Sequence, residues 1–203
     1  KPLSALTRLK MLKVGAPELK DLTGLEALTN LRILHLSNTE VADLSALRTL
    51  TRVKELNLSG SAVTDISALS VLSSLKILKL ASTAVTDLRG IATLQNLKDI
   101  DLEGSAVTDL SPLATLPNLY RINIRKTKVT DLSPLAALTK LKFLELRSSR
   151  VSDLRPLANL DRIKVLDLRG TQVKDLTPLT SLSKLRRLKV DESISEDELA
   201  KLK

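Results

Sequence analysis

The sequence predicts an α/β solenoid, and three observations carry that prediction. Asp recurs at positions 21, 43, 65, 87, 109, 131, 153 and 175, eight times at an unbroken spacing of 22. Around each Asp the same apolar frame returns, L-x-x-L-x-L-x-x-[TS]-x-V-x-D-L-[ST]-[PA]-L-x-x-L-x-x, as in Leu97 to Asn118 and Leu141 to Arg162. Aromatic residues are nearly absent from the 203 residues (one Tyr, one Phe, no Trp), so the core has to be aliphatic. A fixed period in the twenties marks stacked units that bury their apolar faces only against one another, which makes the chain one continuous array.

Within each unit the L-x-L segment alternates, which predicts a short strand with both leucines inward. Nine such strands are expected, centred on Lys13, His35, Asn57, Lys79, Asp101, Asn123, Glu145, Asp167 and Lys189. The 22-residue recurrence leaves no hairpin between them, so they stack in parallel. At about 4.8 Å per strand the array is roughly 40 Å long.

The Asp that follows precedes an apolar residue, a polar one and Pro at Asp109, Asp131, Asp153 and Asp175. That order starts a short helix: the carboxylate caps free N–H groups and Pro occupies the first turn. A ladder of carboxylates holding cations is the competing reading, but eight identical placements suit a duty performed once per repeat. Thr or Ser at 39, 61, 83, 105, 127, 149 and 171 is expected to satisfy backbone groups where the chain turns out of each strand.

The segments Leu141-Lys-Phe-Leu144-Glu-Leu146 and Val151-Ser-Asp153-Leu-Arg-Pro156-Leu157 resemble the leucine-rich repeat family, in its short 22-residue class seen in bacterial internalin-like proteins. The resemblance runs from about Leu3 to Val190 and departs from the family in placing Thr or Ser where Asn usually follows the strand. It implies a curved right-handed solenoid with a parallel sheet on the concave face and short 3-10 helices or turns on the convex face. It also implies a protein-binding role within a larger bacterial protein.

The expected solenoid covers residues 1–194, about nine units. Its first unit is irregular, with Val14-Gly-Ala-Pro17-Glu-Leu19 in place of the hydroxyl turn, and nothing before Leu3 could cover the open edge of the stack. Terminal repeats normally carry polar caps, so a preceding segment or another domain is expected there. At the other end, Ser195-Glu-Asp-Glu198 fits a capping box, and Leu199 with Leu202 gives an apolar stripe, so 195–203 reads as the start of a capping helix.

The residue inventory argues against catalysis. There is no cysteine, and the single histidine, His35, falls at an exposed strand position as a plain surface residue. No Gly-rich phosphate loop precedes a helix, and Asp99, Asp101 and Glu103 alternate on one strand beside basic neighbours as a solvated face. No cofactor or metal is called for. No apolar run reaches the roughly 18–20 residues that span a bilayer, and the first ten residues lack a signal-peptide layout.

Function is expected where the repeat varies. Three columns look out of the sheet: one from Met11 to Arg187, one from Lys13 to Lys189 and one from Gly15 to Asp191. Their N-terminal half is small and partly apolar. Their C-terminal half carries Arg125, Arg147 and Arg169 in register, with Arg121, Phe143 and Val165 in the first column. These six residues are the candidate partner-binding set, suited to a protein with an acidic patch because Arg and aromatics dominate interface energies. Glu145 and Asp167 make a self-neutralised charged face the competing reading.

A second ladder precedes the strands: Lys10, Arg32, Lys54, Lys76, Lys98, Tyr120, Lys142, Lys164 and Arg186. It supplies most of the +9 net charge. Its stems cover neighbouring leucines, or it forms a basic edge that tracks an anionic polymer or membrane surface. The lack of aromatic platforms argues against nucleic acid. The reading favoured throughout is a protein–protein interaction module, with the basic scaffold as its alternative.

Overall fold

A computed structural model describes residues 3–202. Lys1, Pro2 and Lys203, which belong to the expected 1–194 and 195–203 segments, lie outside the described residues. Nine three-residue strands form one sheet: β1 (Met11–Lys13), β2 (Ile33–His35), β3 (Glu55–Asn57), β4 (Ile77–Lys79), β5 (Asp99–Asp101), β6 (Arg121–Asn123), β7 (Phe143–Glu145), β8 (Val165–Asp167) and β9 (Arg187–Lys189). Their order in the sheet is their order in the chain. All eight pairings are parallel with a register of 22, from Met11 opposite Ile33 to Val165 opposite Arg187.

Each strand is centred one residue earlier than the leucine pattern predicts. Alternation reports which side chains face inward, whereas backbone pairing delimits the strand. Pairing starts early, since the Lys10 carbonyl accepts the N–H groups of both Arg32 and Ile33. It continues beyond each strand as single bonds, such as the Leu36 N–H to the Asn57 carbonyl.

The inward residues make one continuous aliphatic core. Leu34, Leu56, Leu78, Ile100, Ile122, Leu144 and Leu166 are all fully buried, and so are the convex-side Leu47, Leu69, Ile91, Leu113, Leu135 and Leu157. The ends are looser. Leu6 and Met11 are 46% and 48% exposed, and Leu185, Leu188 and Val190 are only half-buried.

The Asp ladder performs the expected capping one position outside the 3-10 turn. Asp43 Oδ1 accepts the Ser45 N–H at 2.8 Å, and Asp109, Asp153 and Asp175 treat Ser111, Arg155 and Thr177 in the same way. Side-chain hydrogen bonds from Ser111, Arg155 and Thr177, and then these backbone bonds, hold the carboxyls of Asp109, Asp153 and Asp175 below the usual carboxylate range, and at Asp43 the backbone bond leads. The hydroxyl ladder divides into two sets. Thr39, Thr83, Thr127 and Thr171 donate to the carbonyl three residues back. Among the described residues the buried hydroxyls of Ser61, Ser105 and Ser149 find no partner, and there only the backbone N–H makes the turn bond.

Before each hydroxyl the backbone turns left-handed, through Gly at 60, 104 and 170 and through Asn38, Ser82, Lys126 and Ser148 elsewhere. At the C-terminal end the helix α1 (Glu196–Ala200) begins with the Glu198 N–H on Ser195 Oγ. The reciprocal half of the expected capping box is not made, because the Glu198 carboxylate accepts the Leu176 N–H of the last 3-10 turn instead. Of the expected apolar stripe, Leu202 packs on the core while Leu199 stays exposed.

Candidate protein-binding face

The outward residues of the strands share the face opposite the core, and pairing sets their rows. Arg121, Phe143 and Val165 are directly in register, as are Asn123, Glu145 and Asp167. Arg125, Arg147 and Arg169 also line up, since the N–H groups of Lys126 and Ser148 donate to the carbonyls of Arg147 and Arg169. The six predicted residues therefore fall in two rows, four residues apart along each strand and so roughly 13 Å apart. The middle row of Asn123, Glu145 and Asp167 separates them.

Most of these cations are already engaged. Arg121 reaches Asp99 at 3.6 Å and Glu145 at 3.4 Å. Glu145 also meets Arg125 at 3.6 Å, and Glu103 meets Arg125 at 3.9 Å and Lys126 at 3.0 Å. Arg169 forks onto Asp167 with bonds of 2.9 and 2.7 Å. Arg147 differs: it is exposed and, among the described residues, has no ion pair. The self-neutralised reading thus holds for Arg121, Arg125 and Arg169 and fails at Arg147.

The apolar row has its own geometry. The Arg121 guanidinium lies 4.7 Å from the centre of the Phe143 ring. Tyr120 meets the same ring edge-on with centroids 6.1 Å apart, and Val165 follows half-buried in the next strand.

A second Asx ladder, unseen in the sequence reading, explains much of the middle row. Asn57, Asp101 and Asn123 each accept, through Oδ1, the N–H two residues on, at 3.0 to 3.1 Å. Asp167 makes the same bond to Arg169 at 3.3 Å. Asp101 further accepts from Asn123 Nδ2 at 2.9 Å. These side chains close the strand ends, as the Asp ladder closes the convex turns. The available signal was the recurrence of Asn and Asp in that column.

The titration shifts follow the same contacts. Burial pushes the Asp99 carboxyl up, and the 3.6 Å approach of Arg121 only partly opposes it. The Lys126 ammonium holds Glu103 below its usual range, and the Arg169 fork does so for Asp167. His35 is not the exposed residue expected of it: its Nε2 lies 2.8 Å from Glu55 Oε1 in a part-buried pair. No cluster of three or more His, Cys, Asp or Glu residues that could hold a metal ion occurs among the described residues. No helix there is long and apolar enough to cross a membrane.

A family profile described as Leucine Rich repeats (2 copies) matches residues 29–71. Internalin C2 of Listeria monocytogenes superposes with a TM-score of 0.87 at 35% identity, over 93% of this chain and 84% of that one. The chain belongs to the leucine-rich-repeat family. Internalin F of the same bacterium superposes on this leucine-rich-repeat chain with a TM-score of 0.85 at 27% identity, over 98% of this chain and 66% of that one. A plant peptide hormone receptor, RGFR1 in complex with RGF2, shares the fold at 17% identity, with a TM-score of 0.77 over 93% of this chain and 33% of its own length. No curated protein matches the sequence. The leucine-rich-repeat solenoid is thus of the bacterial, internalin-like class, a fold commonly used as a protein-binding module.

Proposed function

We propose that this chain binds a protein partner on its concave sheet face, within its C-terminal half, as part of a larger bacterial protein. The observation that carries the reading is Arg147, an exposed guanidinium on a face where Arg121, Arg125 and Arg169 are matched to carboxylates. An unmatched cation within a neutralised mosaic selects an acidic group on a partner, since a basic or apolar group there would cost affinity.

The second anchor is the row of Phe143 and Val165, half-buried and ready to lose their remaining contact with water. The two anchors lie roughly 13 Å apart, which suits an extended or surface segment carrying an apolar side chain and, some four residues away, a carboxylate. Binding, not catalysis, is the role these residues support.

A random peptide display library selected on the chain tests the reading. Acidic peptides with one conserved apolar position should be enriched, and Arg147→Glu combined with Phe143→Ala should lower their affinity at least about tenfold. Peptides that bind the double variant as well as the parent would remove the concave face from the proposal.

A further inference from the structure

The flank of the solenoid that leads into the strands carries a pair of cations in each of its last three repeats without a break. At the position two residues before the basic ladder, the earlier repeats carry Arg8, Asn30, Arg52, Ser74, Asn96 and Asn118, and the three Asn residues tie one repeat to the next. Asn30, Asn96 and Asn118 each donate from Nδ2 to a carbonyl of the preceding repeat, at 2.9, 2.9 and 2.8 Å. In the last three repeats that position holds Lys140, Arg162 and Lys184, none of which makes the bond. Arg52 and Lys140 reach the preceding repeat through Asn30 Oδ1 and Asn118 Oδ1, so the position accepts Asn or a cation, but only the last three repeats fill it with cations in succession.

These three cations stand beside Lys142, Lys164 and Arg186 of the basic ladder. Backbone bonds stack the ladder in line: the Lys142 N–H donates to the Tyr120 carbonyl, Lys164 to Lys142 and Arg186 to Lys164, at 2.8, 2.8 and 2.9 Å. The result is a strip two side chains wide, rising about 4.8 Å per repeat. Among the described residues its one ion pair is Lys184 with Asp161 at 3.5 Å, and both partners are more than half exposed. At its N-terminal end lies a depression lined by Lys98, Asn118, Tyr120, Lys140, Lys142 and Arg162, with no carboxylate in its wall. Asn118 Oδ1 there accepts from Lys140 Nζ, and Tyr120 forms the aromatic wall with its ring edge-on to Phe143.

We propose that this flank is a binding site for a linear anionic polysaccharide, bearing sulfate or phosphate groups, that runs across the last four repeats with a sugar ring against Tyr120. Cations held side by side repel one another, and anions spaced along a chain relieve that repulsion. The strip's narrowness suits a single extended polymer, whereas a bilayer or duplex would meet charge over a broad face. A single aromatic cannot stack successive bases, which separates a sugar chain from single-stranded nucleic acid. The site is distinct from the concave rows of Arg147 and Val165 and would operate whether or not those bind a protein.

Fluorescence anisotropy with a labelled heparin decasaccharide tests it, with a ten-residue oligothymidylate and phosphatidylserine vesicles as comparison probes. At low salt the decasaccharide should bind tightest, and its affinity should fall linearly on a log–log plot against salt. Combining Lys142→Glu, Arg162→Glu and Lys164→Glu should weaken it about 30-fold or more and flatten the salt slope by about 2 to 3. Lys10→Glu with Lys54→Glu and Lys76→Glu makes the same charge change on the same ladder and should cost less than about threefold. Tyr120→Ala should weaken binding without altering the slope. Circular dichroism checks that each variant folds, and the Gln versions of the first triple replace it if it does not. Equal losses in both triples would reduce the strip to net charge. Absence of binding at low salt, or tighter binding of the oligonucleotide or the vesicles, would overturn the polysaccharide assignment.

Discussion

The two halves of the sheet face rest on the same core and differ in what they show to solvent. Beneath β2 to β4 lie Leu34, Leu56 and Leu78, and beneath β5 to β8 lie Ile100, Ile122, Leu144 and Leu166, all fully buried. Above them, the first half presents Ile33, Ile77 and the small residues Ser37, Ser59 and Ala81, with the His35–Glu55 pair between. The second half presents a connected charge network from Asp99 through Arg121 and Glu145 to Arg125, Glu103 and Lys126. Because each repeat touches only its neighbours, the inward positions are set by stacking while the outward ones are free to diverge. The halves therefore share one core and differ in the charges they carry on their surface.

The largest expected effect tests whether the halves share one core. Leu56→Ala and Leu144→Ala should each cost about 2–5 kcal/mol in urea unfolding, and the two values should agree within about 1 kcal/mol. A much larger gap would mean that the surface network also supports the core beneath it. The next effect separates the halves. Asp167→Ala removes both the Arg169 fork and the Arg169 N–H bond and should cost about 1–2 kcal/mol, discounted because Arg169 is partly exposed. Asn57→Ala removes only the Ser59 N–H bond and should cost about 1 kcal/mol or less.

Two acids on neighbouring parts of the charged half should respond to pH with opposite signs. Asp167 has a lowered folded pKa, so its contribution is complete above the unfolded Asp value near ~3.9 and is lost as the pH falls through the folded value. Asp99 has a raised folded pKa, so its contribution is complete below ~3.9 and is lost as the pH rises through the folded value. Between about pH 3 and pH 7, Asp167→Asn should thus become more destabilising and Asp99→Asn less so, read as differences from the parent in urea midpoints. Parallel trends for the two variants would contradict the assigned contacts.

The smallest effect concerns the hydroxyl ladder, which crosses both halves. Thr83→Val should cost about 1 kcal/mol because the Leu80 carbonyl loses its hydroxyl donor. Ser105→Ala should be close to neutral, since that hydroxyl has no partner to lose. Equal costs at the two positions would show that the ladder acts through packing alone.

Much of this was legible in the residues. The 22-residue period and the L-x-L alternation determine nine parallel strands, their register and their inward leucines, because stacking leaves an apolar side chain no other place to be buried. The convex Asp ladder was readable as a set of caps, because its invariance fits a local backbone duty. Local chemistry of that kind needs no knowledge of distant neighbours. The side-chain pattern could not give the strand centres, which depend on where backbone pairing stops.

Tertiary structure alone decided which outward charges are matched. Arg125, Arg147 and Arg169 occupy equivalent positions and look alike in the sequence, yet one is held by Glu145 and Glu103, one forks onto Asp167 and one has no ion pair among the described residues. The 13 Å division of the candidate set into two rows and the paired state of His35 likewise depend on neighbours a full repeat away. So do the bonds that Asn30, Asn96 and Asn118 make to the preceding repeat. A repeat sequence determines burial by periodicity, which every unit carries within itself. Whether a charge is matched is settled by side-chain geometry between units, and only the assembled stack contains it.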